Sequence, residues 1–198
     1  MATTSLARSG LTTFQKYSSL LAGNEAYNPG SYELIETVTL SSSQSSVTFS
    51  NLNNYSSTYQ HLQLRLITRD TRAATLAVLH AQFNNDTGSN YAAHRLIGNG
   101  SSVSSANLSG VQFWLGYSPS NNAGSGIFAA TVVDILDPFE TTKNTTIRSF
   151  NGFGGAAEFG LFSGAWLNTN SISSIKIYPQ SDNFAQYSRF SLYGLKGA

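Results

Sequence analysis

The stretch His61-Leu62-Gln63-Leu64-Arg65-Leu66 has a leucine at every second position and a polar side chain before each leucine. Successive side chains of a β-strand point to opposite faces of a sheet, so this alternation predicts a half-buried strand. The same period of two recurs over residues 111–117 and 127–135. These three segments are the strongest strand predictions, and they favour a fold built from β-strands.

Eight further short segments have strand-forming composition, and stretches rich in Ser, Asn and Gly separate them. They are residues 32–40, 47–52, 76–83, 91–97, 145–150, 158–167, 172–178 and 184–195. No long helix is predicted after residue 30. A sheet with this many strands must close or double to protect its edges. The predicted fold class is therefore all-β, an antiparallel two-sheet sandwich that is jelly-roll-like, with an up-and-down barrel as the alternative.

Residues 1–30 have a different pattern from residues 31–198. Leu11, Phe14, Tyr17 and Leu21 recur near helical spacing, and Gly23 follows them as a stop signal. We expect an N-terminal arm over residues 1–30 with at most one short helix, and one sandwich domain over residues 31–198. Because so short a helix is marginal alone, its apolar side chains need a surface, either on their own domain or on a neighbouring molecule.

The surface of this chain is polar but nearly uncharged. Charged residues make up 11% of the sequence, with 11 Lys plus Arg against 10 Asp plus Glu, whereas about 25% is usual. This balance argues against a nucleic-acid partner, which requires a basic surface. No apolar run reaches the roughly 20 residues of a membrane span, so no membrane partner is expected. The chain has no cysteine, which excludes disulfides and thiolate metal sites.

No catalytic or metal-binding motif is recognisable, and we predict no catalytic residue, no metal and no cofactor. His80 and His94 flank a turn that contains Asp86, which is the composition of a two-histidine, one-carboxylate site, but no established motif spacing accompanies it. Two acids from distant strands can cleave glycans without a sequence motif, and Asp134 and Glu158 are candidates. An arginine partner or a solvated position is the simpler expectation for Asp134, so the chain is predicted not to be an enzyme.

Three arginines form the densest charged cluster, where the strand at 62–67 ends. A solvated strand end is one interpretation, and bidentate contact with the carboxylates of a partner is the other. The candidate partner-binding residues are these arginines and the apolar residues of the arm, namely Arg65, Arg69, Arg72, Leu11, Phe14, Tyr17 and Leu21.

Short segments spread over most of residues 32–197 carry a further signal, and the clearest is Phe190-Ser191-Leu192-Tyr193-Gly194. It lies within the segment 188–197, and the others are residues 32–37, 46–49, 59–65, 83–91, 171–179 and 183–185. Together these segments resemble a widespread group of virion structural proteins of tailed bacteriophages. The resemblance implies a non-enzymatic virion component.

Two positions in a virion fit that resemblance. A compact sandwich with a short arm suits a decoration, or cement, protein on the capsid surface, which stabilises the head by binding only the assembled lattice. Its partners would be the lattice of the major capsid protein and other copies of itself, as a homotrimer at threefold positions. The alternative is a tail-fibre or receptor-binding module that binds carbohydrate through loops 84–90 or 118–125.

Overall fold

The structure is a computed structural model that describes residues 32–154 and 158–197. The predicted arm over residues 1–30, with Leu11, Phe14, Tyr17 and Leu21, lies outside the described residues. The described part contains twelve strands. They are β1 (Tyr32–Thr39), β2 (Val47–Phe49), β3 (His61–Thr68), β4 (Leu76–Phe83), β5 (Tyr91–Gly98), β6 (Val103–Gly110), β7 (Phe113–Pro119), β8 (Ala129–Leu136), β9 (Thr145–Phe153), β10 (Glu158–Trp166), β11 (Ile175–Pro179) and β12 (Arg189–Leu195). Its two short 3₁₀ segments are Leu52–Tyr55 and Asn121–Ala123.

The strands form two antiparallel sheets that pack as a sandwich. The large sheet has eight strands in the order β1-β12-β3-β8-β9-β10-β5-β6, and the small sheet has four in the order β2-β11-β4-β7. Without the hairpins β5–β6 and β9–β10, the strands pair in a nested manner: β1 with β12, β2 with β11, β3 with β8 and β4 with β7. Nested pairing rolled into two sheets is the jelly-roll topology. The predicted fold class is confirmed, and the barrel alternative is wrong.

The two hairpins left out of the nested pairing extend the large sheet. The hairpin β9–β10 is inserted between β8 and β11, and it pairs with β8 through β9. The hairpin β5–β6 is inserted between β4 and β7, and it pairs with β10 through β5. Half of the large sheet therefore lies beyond the jelly roll, and this half, together with β8, carries the surface described below.

The three strongest strand predictions are confirmed as β3, β7 and β8. Two of these strands begin later than predicted, because β7 starts after Val111 and β8 starts after Ile127. In β3, Leu62, Leu64 and Leu66 are each 1% exposed, as the alternation required. The eight weaker predictions also correspond to strands, with boundaries that differ by up to five residues. One strand, β6, was not predicted.

Inward side chains from both sheets form the core. Phe83 and Phe113 of the small sheet contact Tyr91 and Trp166 of the large sheet, with ring centroids 4.9–5.8 Å apart. Since every second residue of a strand is used in this way, the residues between them point outward. Which side chains lie on the outward face of the large sheet therefore depends on which alternate residues of each strand are used in the core.

Candidate protein interface

A row of apolar side chains crosses the outward face of the large sheet. Val132 of β8, Phe150 of β9, Leu161 of β10 and Leu96 of β5 are direct cross-strand partners on four neighbouring strands. They are 39%, 55%, 50% and 48% exposed. Apolar side chains directly opposite one another in a sheet contact each other, so the row is one continuous surface.

The sequence places Phe150 outside because of its parity within β9. Ile147, Ser149 and Asn151 point into the sandwich and are buried, whereas Arg148 and Phe150 point outward and are exposed. The same rule applies to β10, where Phe162 is 3% exposed and its neighbour Leu161 is 50% exposed. Solvent exposure of these apolar side chains therefore follows from the register that the core imposes.

Phe159 widens the row, and we call Val132, Phe150, Leu161, Leu96 and Phe159 the apolar stripe. The Phe159 side chain is 54% exposed, and its ring lies over the backbone of the cross-strand residue Gly98. A Cβ at Gly98 would lie 2.8 Å from Cε1 of Phe159, so glycine is required for this ring position. The Phe150 and Phe159 rings meet edge to face, with centroids 6.5 Å apart.

A polar row runs beside the apolar stripe on the same four strands, two residues away along each strand. Asp134 accepts a hydrogen bond from Arg148 Nε at 2.9 Å and one from Gln63 Nε2 at 2.8 Å. Ser163 and His94 continue the row on β10 and β5. The two rows line an open groove of about 560 Å³. An apolar centre with a polar border is the usual anatomy of a protein interface, and the arginine partner expected for Asp134 is confirmed.

The three candidate arginines have different surroundings. Arg65 is exposed on β3 opposite Val132, and its guanidinium lies over the Tyr193 ring at 4.9 Å and the Tyr32 ring at 5.6 Å. Arg65 therefore places a positive charge at one end of the apolar stripe, and its guanidinium is held there by cation–π contacts with the two rings.

Arg69 is 9% exposed, and its Nη1 donates to the carbonyls of Gly124 at 2.7 Å and Ile127 at 3.0 Å. Arg72 donates to Gln180 Oε1 at 3.2 Å, and its backbone N–H donates to the buried Asp70 carboxylate at 2.8 Å. Burial is the main reason that the pKa of Asp70 is raised. Arg69 thus holds the loop before β8, and only Arg65 shares the outward face with the apolar stripe.

The histidine pair considered as a metal site is not brought together. His80 lies on β4 in the small sheet, whereas His94 lies on β5 in the large sheet, so β4 and β5 do not form the expected hairpin. The Asp86 carboxylate accepts hydrogen bonds from Trp166 Nε1 at 2.8 Å and Asn90 Nδ2 at 2.9 Å. Over residues 32–154 and 158–197, no group of three or more His, Asp or Glu side chains could hold a metal ion.

Some side chains of the polar loops considered for carbohydrate binding are used internally, whereas others, such as Thr87 and Asn122, are exposed. Asn84 donates to Ser171 O at 2.9 Å and accepts from the Ser173 backbone N–H at 2.7 Å. Ser118 and Ser120 are completely buried. Two exposed aromatic residues, Phe150 and Phe159, lie on strands instead, and sequence reasoning missed both. The polar residues at the same parity in β9, Thr146 and Arg148, were the signal that could have identified Phe150 as outward.

No protein-family model matches this chain, and no curated protein is significantly similar to it. In the part of the chain that the structure describes, no helix has both the length and the hydrophobicity needed to cross a bilayer.

Proposed function

We propose that this protein is a non-enzymatic structural component of a bacteriophage virion, a capsid decoration or cement protein, and that the apolar stripe is the surface held against the assembled capsid lattice. The observation that carries the proposal is the uninterrupted row Val132, Phe150, Leu161 and Leu96, each at least 39% exposed. Contiguous exposed apolar surface on a folded domain marks an interaction site. The virion context rests on the sequence resemblance, including the Phe190-Ser191-Leu192-Tyr193-Gly194 segment that forms most of β12.

The stripe has the physical properties that a passive attachment surface needs. Phe150 and Leu161 lie on β9 and β10, each of which is hydrogen-bonded on both sides, so their backbones lose little freedom on binding. A ligand that binds only the assembled lattice stabilises it by mass action. The partner is therefore expected to present an apolar surface that exists only between assembled capsid subunits.

The proposal is tested by replacing the centre of the stripe with polar side chains. In Phe150→Ser/Leu161→Ser, we expect binding to capsids that lack this protein to fall at least tenfold in a co-sedimentation assay. The matched control is Leu167→Ser, because Leu167 is 52% exposed but lies outside the stripe. Surface changes of this kind alter the free energy of unfolding by only about 0.5 kcal/mol, so thermal unfolding should be nearly unchanged. Equal binding by the double variant and the wild type would contradict the proposal.

One observation favours the alternative, a receptor-binding module of the tail. The ring of Phe150 lines the same groove as the hydrogen-bonding side chains of Asp134, Arg148 and His94, and sugars are bound by stacking on aromatic rings with polar groups at their edges. Binding to host cell-surface polysaccharide, measured by calorimetry, separates the two functions. Saturable binding that is lost in Phe150→Ser would favour the receptor-binding module, and its absence together with capsid binding would favour the decoration protein.

A further inference from the structure

The strand β6 ends the large sheet and has one open edge. Among residues 32–154 and 158–197 it pairs with β5 alone, from Gly98 opposite Val103 to Tyr91 opposite Gly110. In an antiparallel strand, the N–H and C=O groups of every second residue point away from the paired neighbour. None of the described strands forms hydrogen bonds with the N–H and C=O groups on the open side of β6.

The usual protections of an edge strand are missing from β6. Edge strands are normally protected by charges, proline, bulges or short length, but β6 has eight residues, an unbroken register and no proline. No charged residue occurs anywhere between Arg95 and Asp134. The opposite edge of the sheet, β1, carries Glu33 and Glu36 and has a register shift before Glu36. One edge of the sheet is thus protected against pairing and the other is not.

The faces of β6 are also poorly covered. Val103 is 72% exposed, and none of the eight side chains of β6 is buried. Its substantial contacts with other elements are those with β5. Little of the surface of β6 is therefore buried, and a further strand at its open edge would add backbone hydrogen bonds and cover exposed side chains.

We infer that β6 is a self-association surface, where it pairs antiparallel with β6 of a second copy about a twofold axis. A twofold axis brings each residue of the strand opposite a residue of the same strand, so a charged edge would face like charge. The absence of charge makes this edge compatible with itself. The inference does not depend on the proposed virion function.

The register of this pairing follows from the exposed valines. Directly opposite residues share a face of the sheet. With the axis at Asn107, Val103 at the start of β6 lies opposite Val111 of the partner subunit, the residue that directly follows β6, and this contact occurs twice. Val103 and Val111 are 72% and 39% exposed in one copy, and pairing would cover both. The combined sheet would keep the two apolar stripes on the same side.

A single engineered cysteine tests the register. The chain contains no cysteine, so Asn107→Cys would carry the sole thiol. On the axis, the two Cβ atoms would be about 4.5–5.5 Å apart, close enough for a disulfide after small adjustments. Under mild oxidation, we expect Asn107→Cys to form a covalent dimer and Thr39→Cys, on the opposite edge strand β1, to remain monomeric on a non-reducing gel.

The mass of the full chain in solution tests the association itself. We expect the wild type to have twice the 21.2 kDa mass of one chain by light scattering. Asn107→Lys should weaken the dimer at least tenfold, because it places two ammonium groups opposite each other, whereas Thr39→Lys should leave it intact. Circular dichroism verifies that both variants are folded, and Ser105→Lys serves as a second edge variant.

Three results would overturn the inference. They are a monomeric wild type, a dimer that survives both lysine changes in β6, or equal loss of association in Asn107→Lys and Thr39→Lys. The last result would indicate head-to-tail pairing of β6 with β1, which suits the homotrimer expected from the sequence. A failure here leaves the capsid-binding comparison of Phe150→Ser/Leu161→Ser with Leu167→Ser unaffected, so the two proposals fail separately.

Discussion

At the scale of single residues, Asn151 joins the two sheets. Its side chain is almost completely buried on β9; Oδ1 accepts from the Tyr117 backbone N–H at 2.9 Å, and Nδ2 donates to Tyr117 O at 3.0 Å and Thr131 Oγ1 at 2.7 Å. The amide thus acts as a substitute for a neighbouring strand at the edge strand β7. Gly116 makes room for it, because a Cβ there would lie 2.5 Å from Asn151 Cγ.

We therefore expect Asn151→Ala to destabilise the protein by about 3 kcal/mol, since it leaves two buried backbone groups without partners. Urea unfolding measures the change. The control is Asn122→Ala, at an exposed asparagine, which should change the free energy of unfolding by less than about 0.5 kcal/mol. Similar values for the two variants would show that the amide does not have this role.

His80 makes stability depend on pH. The side chain is 7% exposed and stands edge-on to the Tyr178 ring at 5.5 Å, and burial lowers its pKa from 6.5 to about 4. The unfolded chain therefore binds this proton at a higher pH than the folded chain does. The free energy of unfolding should decrease as the pH falls from 6.5 to 4, by about 3 kcal/mol in total.

His80→Phe should remove that decrease, which urea unfolding at pH 7.5 and pH 4.5 would measure. Asp70 acts in the opposite direction, because burial raises its pKa and the folded chain takes up its proton first. Asp70 is present in both proteins, so the difference between their pH profiles isolates His80. An equal loss of stability on acidification in both proteins would exclude the imidazole as the cause.

At the scale of elements, the inward face of β10 is crowded where it passes the small sheet. A Cβ at Gly164 would lie 2.7 Å from both the Ala92 carbonyl oxygen and a ring carbon of Phe113. A Cβ at Gly152 on the neighbouring strand β9 would meet its nearest atom, in Phe159, at 3.7 Å, an ordinary contact. Both glycines lie within strands, but only Gly164 is required by packing.

Gly164→Ala is therefore expected to cost about 2 kcal/mol through overpacking, whereas Gly152→Ala should be neutral or stabilising by up to about 1 kcal/mol. Thermal unfolding of the two variants, made in parallel, gives the comparison. Equal effects of the two changes would mean that backbone freedom, and not the contact with Ala92 and Phe113, decides the outcome.

The elements predictable from the sequence were those whose alternation was strong. The strand β3 could be predicted because its alternating leucines, Leu62, Leu64 and Leu66, are all buried in the core. The strand β6 has only Val103, Ala106 and Leu108 as apolar residues among serines, asparagine and glycine, and none of them is buried. Its strand conformation comes from pairing with β5, so no local pattern could indicate it.

At the scale of the whole molecule, the number of strands could be anticipated but their order could not. Nested pairing joins β1 to β12, and these strands are separated by most of the domain. The candidate interface has the same origin, because Val132, Phe150, Leu161 and Leu96 become neighbours only through the two inserted hairpins. By contrast, Arg65, Arg69 and Arg72 are close in sequence, yet only Arg65 lies on this face.

The last prediction concerns the response of attachment to salt. The chain has a net charge of +1, and the apolar stripe contains no charged side chain, so attachment to the capsid should depend little on screening. We expect the fraction of protein bound to capsids to remain constant between about 0.05 and 0.5 M NaCl and to rise in ammonium sulfate, which strengthens apolar burial. Co-sedimentation across both salt series measures this fraction. A steep loss with NaCl would instead assign attachment to charged groups such as Arg65 and Arg148, because apolar contact does not weaken with ionic strength.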